Sequence, residues 1–368
     1  MRILYTGADG YIGAVLGPKL LGCGHAATGI DTGLYRRGWL FDDRRTRPMV
    51  ITRDVRQIKQ SDLVGFDAVV HLAELSNDPL GENDPEITMA INHRGSIEFA
   101  RKCRAAGVSR FIYASSCSIY GAAGSEMKTE TSAFNPQTAY ARCKVLVERD
   151  LTAMIDSRFT PVFLRNATAF GASPRQRFDL VLNNLAGVAY TTKQIRVMSD
   201  GTPCRPLVHI DDICQAILCA LEAPREAVCG EAFNVGDDAQ NYIVREIAEV
   251  VNRTFPGCEI TYGSSGGDNR SYRVSFEKIR QHMPGFMCQW SAERGAQQLK
   301  TVFDRIQLDE ATFNAAPFTR LSELRHLRQT HQLDPQLLWT PVDDVIPLVT
   351  PATVPRATIF KGATATAH

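Results

Sequence analysis

The sequence lacks the spacings that mark metal-bound or disulfide-bonded scaffolds. Its ten cysteines, at 23, 103, 117, 143, 204, 214, 219, 229, 258 and 288, form no C-x-x-C pair and no zinc-type arrangement with histidine. The thiols therefore read as reduced, and the protein as cytoplasmic and without metal. No apolar run approaches the length of about 18 residues that suggests a membrane span, and no basic and apolar leader precedes the strand-like opening Met1 to Tyr5. Excess charge is missing too. Forty-one basic against 40 acidic residues leave a formal +1, which removes the electrostatic case for nucleic acid or an anionic membrane as partner. Any anionic ligand has to be held by local groups. No internal repeat is evident.

What remains is a globular composition, 22% charged and 44% hydrophobic over 368 residues, enough for one large domain or two unequal ones. The apolar run Met1 to Thr6 leads into Gly7-x-x-Gly10-x-x-Gly13 and then the helix-like Ala14 to Leu21. Strand, glycine turn and helix is the context a dinucleotide loop needs. Gly7 serves the tight turn, Gly10 the approach of backbone N–H groups to a diphosphate, and Gly13 the close packing of helix on strand. A second run, His25 to Ile30, ends in Asp31, where a carboxylate suits a ribose 2′-hydroxyl and repels a 2′-phosphate. Asp31 favours NAD, while Arg36 and Arg37 keep NADP open. Asp54, after Met49 to Thr52, is placed to reach an adenine, and Phe66 to Ala73 predicts a buried parallel strand whose far end covers the cofactor. Strands beginning near 1, 26, 49, 67 and 110, with helical stretches between, predict an α/β fold: a Rossmann-like doubly wound sheet with its ligand beyond the strands' carboxyl ends.

Tyr140 and Lys144 are four residues apart, so on a helix both rise from one face. An ammonium beside a phenol stabilises the phenolate, which its ordinary pKa of about 10 otherwise disfavours. Ser116, ending the run that starts at Arg110, adds a hydroxyl that can share the reacting oxygen.

With Gly7, Gly10, Gly13, Asp31, Asp54-Val55-Arg56, His71-Leu72-Ala73, Asn92, Ser115-Ser116, Tyr120-Gly121, Tyr140, Lys144 and Leu164-Arg165 in order, the chain resembles the extended short-chain dehydrogenase/reductases. Within them it is similar to the nucleotide-sugar epimerases and dehydratases, from Met1 to about Ile279. The resemblance implies Tyr140 as acid/base, Lys144 lowering its pKa and holding the nicotinamide ribose, and Ser116 hydrogen-bonding the sugar oxygen. It implies NAD held by Gly7, Asp9, Gly10, Tyr11, Ile12, Gly13, Asp31, Asp54, Val55, Leu72, Ala73 and Asn92, together with Tyr140 and Lys144. The substrate is a nucleotide-diphosphate sugar, met by Ser118, Asn166, Thr168 and Asn184, with Arg205 and Arg270 on the diphosphate, where a guanidinium fork suits phosphate. Arg273 reads as a surface or salt-bridge residue, and Arg175 and Arg177 either as early substrate contacts or as a solvated basic face. A homodimer through helices near 95–106 and 140–155 is a further family expectation.

Three departures narrow the chemistry. Where 4,6-dehydratases carry Asp-Glu after the active Ser/Thr, this chain has Cys117 and Ser118, so ordinary elimination is disfavoured and epimerisation at C4, through a transient 4-keto sugar with hydride exchanged with NAD, leads. Cys117 is either a catalytic thiol or core packing. Glu74 stands where the family has a small residue, as a general base or as the partner of an arginine. Thr168 replaces an asparagine. Reduction of a 4-keto sugar, an unusual dehydration using Cys117 and Glu74, and a silent NAD-binding regulator are the alternatives. His71 and His209 read as strand-end residues hydrogen-bonded to backbone, Cys143 and Tyr120 as packing.

The organisation expected is a dinucleotide domain over 1–170 with later segments returning to it and a smaller, mainly substrate-binding lobe over 171–310. An added amphipathic helix follows from Phe318 to Trp339, within 311–339, and then a disordered tail over 340–368.

Overall fold

The computed structural model describes residues 1–76, 78–122, 126–264 and 271–340. The tail read as disordered lies, beyond residue 340, outside them. Seven parallel strands form the main sheet: β1 (Arg2–Thr6), β2 (Ala26–Asp31), β3 (Met49–Thr52), β4 (Ala68–His71), β5 (Arg110–Ser116), β6 (Thr160–Asn166) and β7 (Ala232–Val235). Their spatial order is β7-β6-β5-β4-β1-β2-β3. The chain winds outward from β1 to β3, then crosses back to lay β4 against β1, so a crevice opens between their carboxyl ends. The doubly wound sheet is as the sequence predicts.

Helices cover both faces. α1 (Gly13–Gly22) follows the glycine turn, and α2 (Ser96–Ala105) and α3 (Ala139–Thr152) cover the opposite face. β4 is fully buried, in keeping with its unbroken Ala-Val-Val-His run, because a parallel strand has helices on both sides. A smaller lobe is built from α4 (Val181–Thr192), α6 (Val244–Thr254) and α7 (Ala292–Ile306), whose Leu182, Leu185, Ile247, Val251, Leu299 and Phe303 share one core. Between α4 and α6 the chain returns to the body as α5 (Ile210–Glu222) and β7, packing with α1 in the core of the first face.

The C-terminal segment departs from expectation. The helix α8 runs only from Arg320 to Gln329. His331 takes a left-handed φ of 55°, and Pro335 has no N–H with which to resume a helix. The chain folds back so that Leu333 bridges Trp339. Leu324, Leu327, Leu333 and Leu337 pack with Leu34, Leu75, Ile87 and Ile91, so this segment covers the dinucleotide body. Among the described residues no helix is long and apolar enough to cross a membrane.

Candidate active site

At the crevice, β1 gives way to Gly7, whose φ of +69° is a conformation only glycine takes without strain. A Cβ on Gly13 would lie 2.2 Å from the Gly7 carbonyl oxygen, and one on Gly10 2.9 Å from it. The loop is closed as tightly as a dinucleotide cradle requires, with the start of α1 beside it. Gly7, Gly10, Tyr11, Ile12 and Gly13 line a cleft of about 940 Å³ that runs on to Tyr140 and Arg205. That is the upper range for a small-molecule site.

Asp31 lines the cleft and accepts hydrogen bonds from the backbone N–H groups of Asp9 (3.0 Å) and Gly33 (2.7 Å). Burial nevertheless raises its pKa to about 6. Asp54 caps the short turn Val55–Gln57 and is held by Arg56 at 2.8 Å. Asp54, Val55, Leu72 and Ala73 reach the cleft as expected. Two cofactor candidates sit differently. Asp9 contributes its backbone to Asp31 while its carboxylate faces Arg175 at 3.5 Å. Asn92, in a wide π-helical turn ahead of α2, gives both ends of its amide to the backbone of Leu75, at 2.8 and 3.0 Å, and does not line the cleft. It anchors the loop that carries Glu74.

Thr138 caps α3 through the N–H of Ala141, and the helix delivers Tyr140 and Lys144 to the cleft with Ser116 from the end of β5. The Ser116 hydroxyl also accepts the Ser118 N–H at 3.1 Å. Lys144 is almost wholly buried. Its Nζ donates to the Ala114 carbonyl and sits 2.5 Å from the Glu74 carboxylate, whose other oxygen accepts the Tyr113 hydroxyl at 2.6 Å. Burial pulls the ammonium pKa down, but Glu74 and Tyr140 outweigh it, and the net direction is up. Burial likewise pushes the Glu74 carboxyl up. The charged partner of Glu74 is thus Lys144, not an arginine.

Cys117 is corrected. The turn Cys117–Tyr120 rotates its thiol out of the cleft and into the core, fully buried, where it donates to the Arg165 carbonyl at 3.0 Å. Burial holds that thiol far above its ordinary pKa, so it is no acid or base for a substrate. Ser118, the next residue, faces the cleft, and among the described residues its buried hydroxyl has no partner. The Asn166 side-chain oxygen is orphaned in the same way. Buried polar atoms without partners are costly, so both are suited to polar groups of a ligand. Thr168, Asn184 and Arg205 also line the cleft, Asn184 steadied by the Phe178 carbonyl at 2.8 Å. Arg270 lies outside the described residues.

Other residues were left open or missed by sequence reasoning. Arg175 and Arg177 are buried instead of forming a solvated face. Arg175 lies over the Trp39 ring at 4.6 Å, and Arg177 pairs with Asp179 at 2.9 Å while lining the cleft. Tyr35 and Arg320 line it as well, and no motif surrounds either in the sequence. His71 bonds Thr6 and Ser96, both at 2.8 Å, and burial lowers its pKa to about 3. His209 accepts the Asp211 N–H at 3.1 Å. His209 thus has the backbone partner expected of it, whereas the partners of His71 are side-chain hydroxyls. Among the described residues no cluster of three or more His, Cys, Asp or Glu is placed to hold a metal.

The model of the NAD dependent epimerase/dehydratase family matches residues 3–236. The UDP-glucose 4-epimerase of Mycolicibacterium smegmatis is 28% identical over 256 residues, 64% of this chain and 77% of that protein. Among solved structures, TunA, described as an NAD-dependent NDP-hexosamine 5,6-dehydratase of tunicamycin biosynthesis, superposes with a TM-score of 0.74 at 21% identity, covering 83% of this chain and 98% of its own. MoeE5 in complex with UDP-glucose and NAD gives 0.72 at 23%, covering 84% and 100%. The superpositions share the fold described above.

Proposed function

Because this chain belongs to the NAD-dependent epimerase/dehydratase family, we propose that it inverts C4 of a nucleoside-diphosphate sugar with NAD held in the cleft. The observation that carries this reading is the inward turn of Cys117. A 4,6-elimination needs an acid and a base beside the sugar's C5 and C6, and the residue at the first of those positions faces the core. Epimerisation needs only the groups that do converge on the cleft.

NAD, when bound, supplies a reversible hydride acceptor. The glycine loop and Asp31 would hold its diphosphate and ribose, and Leu72 and Ala73 its flank. Tyr140 takes the proton of the C4 hydroxyl, keeps it while C4 is a ketone, and returns it after inversion. Ser116 holds the same oxygen by a hydrogen bond. Lys144, with one donor each committed to Ala114 and Glu74, keeps a third N–H for a ribose hydroxyl. Arg205 grips the substrate diphosphate, and the orphaned Ser118 and Asn166 atoms meet sugar hydroxyls. The same reading includes a homodimer through α2 and α3, for which sedimentation should give twice the mass of one chain.

The test is to denature purified protein, identify released nicotinamide, and incubate native protein with nucleotide sugars read by mass spectrometry and NMR. Retained NAD with a C4-inverted product of unchanged mass is expected, and Tyr140→Phe should lower turnover by about two orders of magnitude or more. Loss of water from the substrate, or net consumption of added NAD(P)H, refutes the epimerase.

A further inference from the structure

The segment from Thr319 to Thr340 lies outside the residues matched by the family model, yet Thr319, Arg320, Leu321 and Leu337 all line the cleft. It is fastened to the two loops that follow β2 and β3. Trp339 Nε1 donates to the Thr32 carbonyl at 2.6 Å, Arg36 lies 4.8 Å over the Trp339 ring, and Arg56 donates to the Gln336 carbonyl at 2.9 Å. Those loops begin at Asp31 and Asp54, so the segment straps the adenosine end of the dinucleotide site.

Arg320 is the anomaly within the strap. Its side chain is 4% exposed and its guanidinium sits 3.8 Å over the Tyr35 ring, yet among the described residues it makes no hydrogen bond and no ion pair. Among the described residues, the Tyr35 hydroxyl beneath it is buried without a partner. A buried guanidinium without an acceptor is expensive, and burial lowers its pKa to about 10. Its five N–H donors suit a phosphate.

We propose that Arg320 is a cofactor-binding residue whose guanidinium meets the diphosphate of the dinucleotide held on the Gly7–Gly13 loop, and that the strap exists to bring it there. This rests on the reading that NAD occupies the cleft. The diphosphate is the anionic group of NAD, and Asp31, whose charge reaches Arg320 through space, repels a 2′-phosphate at the same end. The substrate diphosphate is the other source of such chemistry. The cofactor is favoured because Tyr35 and the strap anchors cluster at β2 and β3, whereas Arg205 stands on the other lobe.

The experiment uses the full chain stripped of nucleotide, as wild type and as Arg320→Met, which keeps the apolar stack on Tyr35. Calorimetric titrations with NAD, ADP, adenosine and UDP are read beside melting temperatures. Arg320→Met should weaken NAD and ADP by about 10- to 100-fold, the range of a charge-assisted bond, and change adenosine and UDP by no more than about twofold. The stripped variant should melt no lower than wild type, since a buried unpaired charge has been removed, while the rise in melting temperature on adding NAD shrinks. Equal losses for ADP and adenosine, a loss confined to UDP, or unchanged NAD affinity each overturn the proposal. Should Arg320→Met not fold, Arg320→Lys keeps the charge without the fork, and an ADP-to-adenosine preference equal to wild type would overturn the proposal. A wild-type chain with no affinity for NAD refutes the proposed function itself.

Discussion

Replacing Glu74 by glutamine keeps the shape of the side chain and an acceptor for Tyr113 but leaves the Lys144 ammonium without its counter-charge. At 2.5 Å, Glu74 and Lys144 attract with a gross energy of about 7 kcal/mol at an effective dielectric of about 20. Much of that attraction only offsets the cost of taking both groups out of water, since their side chains are 3% and 5% exposed. Removing one partner strands the other, at a cost of about 3–5 kcal/mol. The penalty should depend on pH, and the sign follows from Lys144. Burial lowers its pKa, and Glu74, with a smaller contribution from Tyr140, holds it above the ordinary value. Without that carboxylate, burial takes the folded-state pKa below the unfolded one. Between those two values the unfolded chain binds the extra proton, so the variant gains up to about 1.4 kcal/mol of stability per pH unit as pH rises. Glu74→Gln should therefore be most destabilised near pH 6.5 and recover by pH 9.5, in urea unfolding of the NAD-free protein. Glu74→Gln combined with Lys144→Met should be less destabilised near pH 6.5 than Glu74→Gln alone, because no charge is stranded. A penalty independent of pH, or below about 1 kcal/mol at pH 6.5, would refute the buried ion pair as the basis of this reasoning.

Gly13→Ala should push α1 off the glycine turn, since its Cβ has the Gly7 oxygen at 2.2 Å; a loss of about 1–3 kcal/mol in unfolding free energy and loss of NAD binding are expected by denaturation and calorimetry. Asp31, with its pKa raised to about 6 in the free site, should be driven toward the ionised form by ribose hydroxyls. Binding then lowers its pKa, so NAD affinity falls as pH drops through 6 and is flat in Asp31→Asn, as calorimetry from pH 5 to 8 would show. Cys117→Ser should keep turnover within about threefold of wild type, because its thiol faces Arg165, while Ser116→Ala should lose about tenfold or more in steady-state assays.

The parts of the site that were legible in the sequence are those set by neighbours along the chain. The three glycines answer to the sterics of one turn, and the Tyr140–Lys144 spacing to one helical turn. Glu74 was visible as a carboxylate out of place, but its partner lies 70 residues away in sequence, beyond the reach of periodicity. Cys117 was open between catalytic thiol and core packing, with Ser118 beside it as a substrate contact. Which one faces the cleft depends on the turn that begins at residue 117, where successive side chains point in different directions. Arg175 and Arg177 look like any basic surface in a one-dimensional reading, and only the packed structure buries them.

The sequence by itself determined the order of strands and helices, the doubly wound class and the glycine cradle, because each follows from local sterics or a short period, and family resemblance singled out Asp31 and the Ser116, Tyr140 and Lys144 set. Tertiary structure decided which charges are paired, which polar atoms are left waiting for a ligand, and that the C-terminal strap brings Arg320 to the cleft shared with Asp31. A sequence states where charge is carried along the chain. Its energy depends on distance and burial, and those exist only once the sheet, the lobe and the strap have closed around one cleft.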